Sequence, residues 1–420
     1  MADSVDSAIV DPGLDEKIAK LTPERIERVI RHVLDNESAA RMKVYLETCV
    51  RCGLCSEACH TYLSRNRDPD FAPVAKVKDT LWEMVRKNGR VNGETLKKSA
   101  RIAFTECGAC RRCSMYCPFG IDIAYLIMTV RRICHLLGVV PQYLQDTVNS
   151  HSVTMNQMWV QQDEWIDTLM WQEEEARDEL PGTRIPLDKE GAEIMYSVIA
   201  PEPKILAQLL GNMAVIMKAA NVDWTMPSQD GWDNSNMAMY SGDFEVMARV
   251  ERLHWERAAA LKVKRVVMGE CGHAYRGAVY DGPKWLGWKR PPIPMVHAVE
   301  FYYELIKSGR LKIKEKFKEP VTVQDPCNIV RGRGLHEKLR YLVNELCEDF
   351  RDMEPRHEHN YCCAAGGGII NCGPPWKLSR MKSIKVKADQ LAATGAHICI
   401  TPCHNCHSGI EDIIGYYKLG

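Results

Sequence analysis

Cys49-Val50-Arg51-Cys52-Gly53-Leu54-Cys55-Ser56-Glu57-Ala58-Cys59 is a C-x-x-C-x-x-C-x-x-x-C run. Cys107, Cys110, Cys113 and Cys117 repeat that spacing, closed by Pro118. A tight loop of this kind presents three thiolates to one cubane cluster, and the fourth cysteine reaches across to the other. The spacing predicts two cubane [4Fe–4S] clusters, Cys49, Cys52, Cys55 and Cys117 holding one and Cys107, Cys110, Cys113 and Cys59 the other. Two cubanes held this way are near enough to relay electrons.

Beyond these runs, the chain has 420 residues, which favours two or three domains over a single core. Its 45% apolar content is that of an ordinary globular protein. Lys plus Arg (55) equals Asp plus Glu (55), and this balance argues against nucleic-acid binding by bulk electrostatics. The segment Met1 to Lys17 is acidic and has no apolar stretch of signal-peptide type, so the 18 cysteines suit a reducing cytoplasm. No run of 18 apolar residues appears, so any membrane link is expected to go through a partner.

The expected fold class is α + α/β. Residues 1–48 read as a polar N-terminal lead-in with one helix, starting at Thr22-Pro23-Glu24. Residues 49–150 read as a helical ferredoxin-type domain. Val74, Val77, Leu81, Met84 and Val85 mark one helical face, Glu94–Phe104 another helix, and Ile123 to Leu137 a third, ended by Gly138 and Pro141. Residues 151–190 carry Met155, Met158, Trp159, Trp165, Met170 and Trp171 among many acids. That segment is either a helix packing on the chain's own core or a docking helix for a partner. Residues 191–420 alternate short apolar runs with helices. Strands are expected at Ile194–Val198, Val266–Met268, Val321–Val323 and Ile398–Ile400. The helices are Lys204–Ala220, Phe244–Leu261, Val299–Lys307, Glu337–Leu346 and Trp376–Ala392.

The last section holds a repeat. Val266-Val267-Met268-Gly269-Glu270-Cys271-Gly272-His273-Ala274 lines up with Ile398-Cys399-Ile400-Thr401-Pro402-Cys403-His404-Asn405-Cys406. Each copy brings a cysteine to the C-terminal end of a strand, where open α/β sheets place ligands. Five cysteines of the second half belong together: Cys327, Cys362, Cys363, Cys403 and Cys406. Five thiolates suit a polynuclear iron site better than one tetrahedral zinc. Gly366 and Gly367 are expected to let the backbone come close to such a cluster.

This pattern resembles the cysteine-rich CCG domain of heterodisulfide reductases. With two upstream cubane runs, the chain resembles the iron–sulfur subunits of membrane-linked redox complexes of sulfate reducers, the Dsr, Hmc and Tmc types. Those are related to the catalytic subunit of membrane-bound heterodisulfide reductase. The helical section is similar to the ferredoxin-type domain of succinate dehydrogenase iron–sulfur subunits. The resemblance implies a pseudo-twofold α/β domain and a noncubane [4Fe–4S] cluster on Cys327, Cys362, Cys363, Cys403 and Cys406. In that family this cluster cleaves a disulfide or related S–S bond with two successive electrons.

It also implies an integral membrane cytochrome b subunit and further redox subunits as partners. A small sulfur-carrier protein as substrate, and a cytoplasmic, peripheral position on the inner face of the membrane, go with it. The first half lacks its cysteine set, with Ile199-Ala200 and Asp233-Asn234 at the corresponding places, so one special cluster is expected, not two.

Cys271 and His273, from the degenerate half, are expected to face the intact site, as substrate-facing groups or extra ligands, or as a buried relic. Cys363 is the expected centre of the sulfur chemistry. His404 and His407 flank the last ligands and are candidate proton donors to a leaving thiolate. Arg331 and Arg333 follow Cys327 and are candidates to clamp a carboxylate or a partner's C-terminus. Cys134, Cys347 and Cys399 read as core thiols. Two further function classes stand beside the reductase: an electron relay without its own substrate, and the iron–sulfur subunit of a glycolate- or glycerol-3-phosphate-oxidising flavoenzyme. No G-x-G-x-x-G after a strand supports the flavoenzyme.

Overall fold

The computed structural model describes residues 9–234 and 236–419. Residues 1–8 of the expected lead-in lie outside these. The rest of that stretch forms three helical segments rather than one, Pro12–Ala19, Pro23–Glu37 and Ala39–Thr48, the second ending in a π turn. Asp11 caps the first, its carboxylate accepting from Gly13 N at 3.0 Å, and Thr22 caps the second, accepting from Arg25 N at 3.3 Å. Both are followed by proline at the first helical position. The apolar stripe Ile26, Ile30 and Val33, together with Leu14 and Met42, packs into one core with Leu81, Met84, Leu96, Phe104, Ile127 and Ile133. The lead-in is thus part of the helical body that carries both cysteine runs.

Between the runs, Pro73–Arg86 is helical through a π turn at Lys78–Trp82, and Gly93–Thr105 follows. Ile123–Leu136 is buried almost all round. Gln142–Thr154 leads out of the helical body and buries His151, whose two ring nitrogens have no partner among the described residues. Burial pushes the His151 pKa from 6.5 down to about 3. Between those values the unfolded chain takes up a proton that the folded chain refuses, so stability falls as pH drops through this window. His151→Leu is therefore expected to stabilise the protein by about 2 kcal/mol more at pH 5 than at pH 8. Urea unfolding at both pH values checks this. An equal gain at both would mean that protonation of His151 plays no part.

The segment expected either to dock a partner or to pack inward has both kinds of face. Helix Gln162–Glu179 turns Trp165, Leu169, Gln172 and Ala176 inward, at helical spacing. Trp165 stacks on Trp232 with ring centroids 4.3 Å apart and donates its Nε1 proton to Pro227 O at 3.1 Å. Trp159, Met170 and Trp171 stay exposed.

The α/β part contains two small parallel sheets. β1 (Ile194–Ser197), β2 (Trp224–Thr225), β3 (Arg265–Met268) and β4 (Met295–His297) form one, in the order β2-β1-β3-β4. β5 (Val321–Val323) and β6 (Ile398–Ile400) form the other. β2 and β4 are absent from the expected strands; β2, with two residues, is too short to carry a periodic signal. Two expected helices are broken. Lys204–Ala220 becomes Pro201–Ile205 and Gln208–Ala219, and Trp376–Ala392 becomes Pro374–Lys382 and Lys385–Thr394. At the second break Ile384 is buried with φ −129°, and the Arg65 guanidinium from the helical body binds Ser379 and Ser383.

The repeat is visible in space. Counting from the aligned strands β3 and β6, His273 and Asn405 are equivalent positions, and their side chains meet at 2.9 Å. His404 N donates to Glu270 O at 2.8 Å.

Candidate iron–sulfur centres

Three groups of thiols line three separate cavities. Cys49, Cys52, Cys55 and Cys117 share the first, with Gly53, Pro73, Val74 and Leu126. Cys59, Cys107, Cys110 and Cys113 share the second, with His60, Lys76 and Gly108. Each run therefore sends its last cysteine to the other group.

The two loops share a conformation. The third and fifth residues of each run adopt left-handed φ: Arg51 (+58°) and Gly53 (+82°), Ala109 (+49°) and Arg111 (+64°). For three of these four residues that conformation costs about 1 kcal/mol. It turns the backbone around the space that the thiols face, and such strain is kept where a site needs it. Burial pushes the Cys55 thiol up to about 11, with the neighbouring Cys49 and Cys117 adding to the shift. Four converging thiols, one of them from the opposite loop, fit a 4Fe–4S group in each cavity.

The third cavity is lined by Cys327, Cys362, Cys363, Cys403, Cys406, His273, Gln324, Asn328 and Gly366. β5 delivers Cys327 through Gln324-Asp325-Pro326. The buried Asp325 carboxylate fixes this turn by accepting from Arg340 Nη2 (2.8 Å), His357 N (2.8 Å) and Asn360 Nδ2 (3.1 Å). Cys403 and Cys406 sit at the start of helix His404–Tyr417. Ala364, after the cysteine pair, takes φ +53°, the conformation for which glycine is the usual residue. Cys363 is held well below the usual thiol range by the neighbouring thiols of Cys362 and Cys406. Cys403 is held low by Cys406 and His273. Five inward-facing sulfurs fit a polynuclear iron group better than a single tetrahedral ion.

The second and third groups adjoin. The sulfurs of Cys110 and Cys362 and a ring nitrogen of His60 all lie within 4.8 Å of one another. The glycines make this possible in a way the sequence did not suggest. A Cβ on Gly367, at φ +68°, would stand 2.2 Å from Gly108 O, and one on Gly366 would stand 2.7 Å from the His273 ring. Gly367 thus lets two protein segments touch and does not line the cysteine cavity; Gly366 does line it.

Arginines close the seam. Arg331 donates to Cys110 O (2.6 Å), Glu358 O (2.7 Å) and Asn360 O (2.7 Å). Its fork is filled by backbone carbonyls, so it is not placed to clamp a carboxylate. Arg112 donates to His359 O at 2.7 Å and also reaches Ala58 O. Arg131, fully buried, donates to Ala103 O (2.8 Å), Cys107 O (2.7 Å), Tyr240 O (2.8 Å) and Gly367 O (2.6 Å). Arg333 is partly exposed and binds the hydroxyls of Tyr275 and Tyr280.

The remaining candidates divide. His273 faces the five-cysteine cavity; its Nε2 accepts from Gly367 N at 3.1 Å, and its Nδ1 lies 2.9 Å from Asn405 Nδ2. Cys271 does not line that cavity. It is fully buried, and its sulfur caps helix Gly272–Arg276 by accepting from Ala274 N at 3.4 Å. His404 points into a neighbouring cavity of about 470 Å³ between the helical body and both halves of the α/β part. Burial drops its pKa to about 4, so it is neutral at pH 7 and not placed to protonate a cluster thiolate. His407 is half-buried and lies 3.6 Å from Glu411. Cys134 and Cys347 are buried core thiols, and Cys372 bonds the carbonyls of Phe104 and Gly368. Sequence reasoning missed His60, Lys76, Arg112, Arg131 and Asn405. His60 directly follows Cys59, Arg112 lies between Cys110 and Cys113, and Asn405 lies between Cys403 and Cys406, so these three stood within reach of a motif; Lys76 and Arg131 did not.

Residues 45–121 match a 4Fe-4S dicluster domain, and residues 321–411 match a cysteine-rich domain, CCG. The chain is similar to the Hdr-like menaquinol oxidoreductase iron-sulfur subunit of Archaeoglobus profundus, at 24% identity over 96% of this chain and 82% of the relative. It is also similar to one subunit of the dihydromethanophenazine:CoB–CoM heterodisulfide reductase of Methanosarcina acetivorans, at 26% identity over 87% of this chain and 88% of the relative. The EtfAB:quinone oxidoreductase of Syntrophomonas wolfei matches at 21% identity over 87% of this chain and 55% of its own length. No solved structure matches.

Proposed function

We propose that this chain, which joins a 4Fe–4S dicluster domain to a CCG domain, is an iron–sulfur electron-transfer subunit of a heterodisulfide-reductase-like oxidoreductase complex. The observation that carries this reading is the presence of three thiol-lined cavities, the second group meeting the third at Cys110 and Cys362. Cys49, Cys52, Cys55 and Cys117 hold one cubane, Cys59, Cys107, Cys110 and Cys113 a second, and the five cysteines of the CCG domain a noncubane 4Fe–4S group. Bound there, these groups store and pass single electrons.

The chain's own residues set the entrance and the exit. Cys52 is exposed, and Val50, Leu54 and Phe119 around it are exposed apolar side chains, a surface suited to a redox partner. No helix among the described residues is long and apolar enough to cross a membrane. The partner in this reading is a haem-b membrane subunit, with the chain peripheral on its inner face and further redox subunits beside it.

Two readings of the exit stand, and one observation weighs between them. S–S cleavage, on a small sulfur carrier or another disulfide, requires substrate to reach the five-cysteine group. Cys362, Cys363, Cys403 and Cys406 are only 2–4% exposed, and Cys327 is half-buried. That burial favours the relay, in which electrons leave to a partner protein.

The test is anaerobic reconstitution followed by iron counting and Cys363→Ser. About twelve irons per chain are expected, three groups of roughly four. Cys363→Ser is expected to remove about a third of the iron and the unusual spectroscopic signal while leaving both cubanes. A parent chain holding only about eight irons, with zinc at Cys403 and Cys406, would defeat the noncubane assignment.

A further inference from the structure

We propose that Lys76, together with Arg131, sets the reduction potential of the second cysteine group and makes it, of the two groups in the helical body, the one that draws the electron. The inference rests on the reading that Cys59, Cys107, Cys110 and Cys113 hold a 4Fe–4S group. It goes further by assigning the direction of the internal step and the residues that impose it.

Lys76 is 2% exposed and lines the same cavity as these four cysteines. Its ammonium is anchored by donating to Glu106 O at 2.6 Å, the carbonyl directly before Cys107. Arg131 is fully buried and donates only to backbone carbonyls, among them Cys107 O and Gly367 O. Among the described residues no carboxylate forms an ion pair with Arg131. A buried cation without an anionic partner is costly unless negative charge lies close by. The thiolates and one carboxylate supply it: despite complete burial, the Lys76 ammonium is favoured by Cys59, Glu106, Cys107 and Cys113. Glu106 is the acid nearest to this set, and its carboxylate pairs with Arg101 at 2.9 Å.

Electrostatic coupling is reciprocal. If negative charge on the thiolate group holds the cations, the cations hold an added electron on that group. Net charge nearby is one of the determinants of an iron–sulfur potential. The first group differs. Its neighbouring cations, Arg51 and Lys78, are less buried, and water screens them. Hydration of the exposed Cys52 edge also favours an added electron there, so the buried cations at the second group must exceed that effect. In the step at stake one electron leaves the first group, which is oxidised, and enters the second, which is reduced. No bond forms or breaks and no proton moves. The second group is also the one that touches the five-cysteine group through Cys110 and Cys362, so the same cations pull the electron toward the exit.

The experiment is a potentiometric titration of the reconstituted full chain, followed by electron paramagnetic resonance, with iron counted first. In the parent, the two groups of the helical body are expected to titrate with separate midpoints, the second group's the higher. Lys76→Met and Lys76→Gln are both neutral, and Gln keeps a donor toward Glu106 O. Either is expected to lower the second group's midpoint enough to change its electron occupancy relative to the first by about tenfold, which is 59 mV for a one-electron couple. Lys76→Arg is expected to restore it, and Lys78→Gln to leave the second group's midpoint in place. Loss of second-group iron in both neutral variants but not in Lys76→Arg would support the same conclusion through affinity. Unchanged midpoints in the neutral variants, an equal shift in Lys76→Arg, or loss of iron in all three would overturn it. A parent chain that binds no iron at this group would instead defeat the reading of the group itself.

Discussion

Arg131→Met is expected to cost roughly 3–5 kcal/mol of folding stability and to loosen the helical body from the α/β part. The side chain lies wholly inside the protein and donates to four carbonyls, those of Ala103, Cys107, Tyr240 and Gly367. Two of them, Ala103 and Cys107, belong to the helical body, and two to the α/β part. Methionine fills much of the volume but donates nothing, so four acceptors lose a charged donor at once. A buried bond to a charged group is worth about 1.5–3 kcal/mol, and relief from burying the charge returns part of that sum. Arg131→Lys keeps the charge but not the planar fork, so it should fall between parent and Arg131→Met. Anaerobic urea unfolding measures the loss. A change below about 1 kcal/mol for Arg131→Met would mean that water or other donors satisfy these carbonyls when the guanidinium is gone.

Gly367→Ala is expected to break the contact between the second and third cysteine groups. At φ +68° an alanine is strained by about 1–2 kcal/mol before any collision. The collision is larger, because the new methyl would lie 2.2 Å from Gly108 O and 2.6 Å from Gly108 C. Both are backbone atoms next to Cys107, so neither can swing aside as a flexible side chain would. The loop from Cys107 to Cys113 has to move away, and Cys110 moves with it. The expected cost is about 3 kcal/mol or more, with second-group iron lost or its electron exchange with the CCG group slowed. First-group iron should remain. Gly287→Ala provides the reference, since φ there is +72° and nothing lies within 4 Å of the added atom, so only the strain of about 1 kcal/mol is expected. Equal losses in the two variants would show that the seam tolerates the methyl.

Much of this architecture could be read along the chain because it rests on local rules. Pro23 after the capping Thr22, the apolar stripe from Ile123 onward and the runs at Val321–Val323 and Ile398–Ile400 each form their element for reasons contained within a few residues. The exchange of Cys59 and Cys117 between the loops could be expected as well, because loop geometry limits one run to three thiols per group. The repeat offset that aligns Cys271 with Cys403 was legible, and it places His273 against Asn405.

What could not be read was everything that depends on which surfaces meet. Helix Pro12–Ala19 has only a weak apolar face of its own, and it exists in this form because Leu14 finds a core to enter. Arg331 beside Cys327 looked like a free clamp. Only the approach of Cys110, Glu358 and Asn360 fills its fork. His404 stands between two residues of a metal motif, yet the start of its helix turns it away from the cysteine cavity. Lys76 and Arg131 carry no motif. Their meaning comes from being buried beside thiolates contributed by distant residues, because a charge acts over ångströms of space and not along the chain. The order of residues alone dictates which thiols can converge and in what sets. The packing of the helical body on the α/β part dictates which sets adjoin and which buried cations act on them.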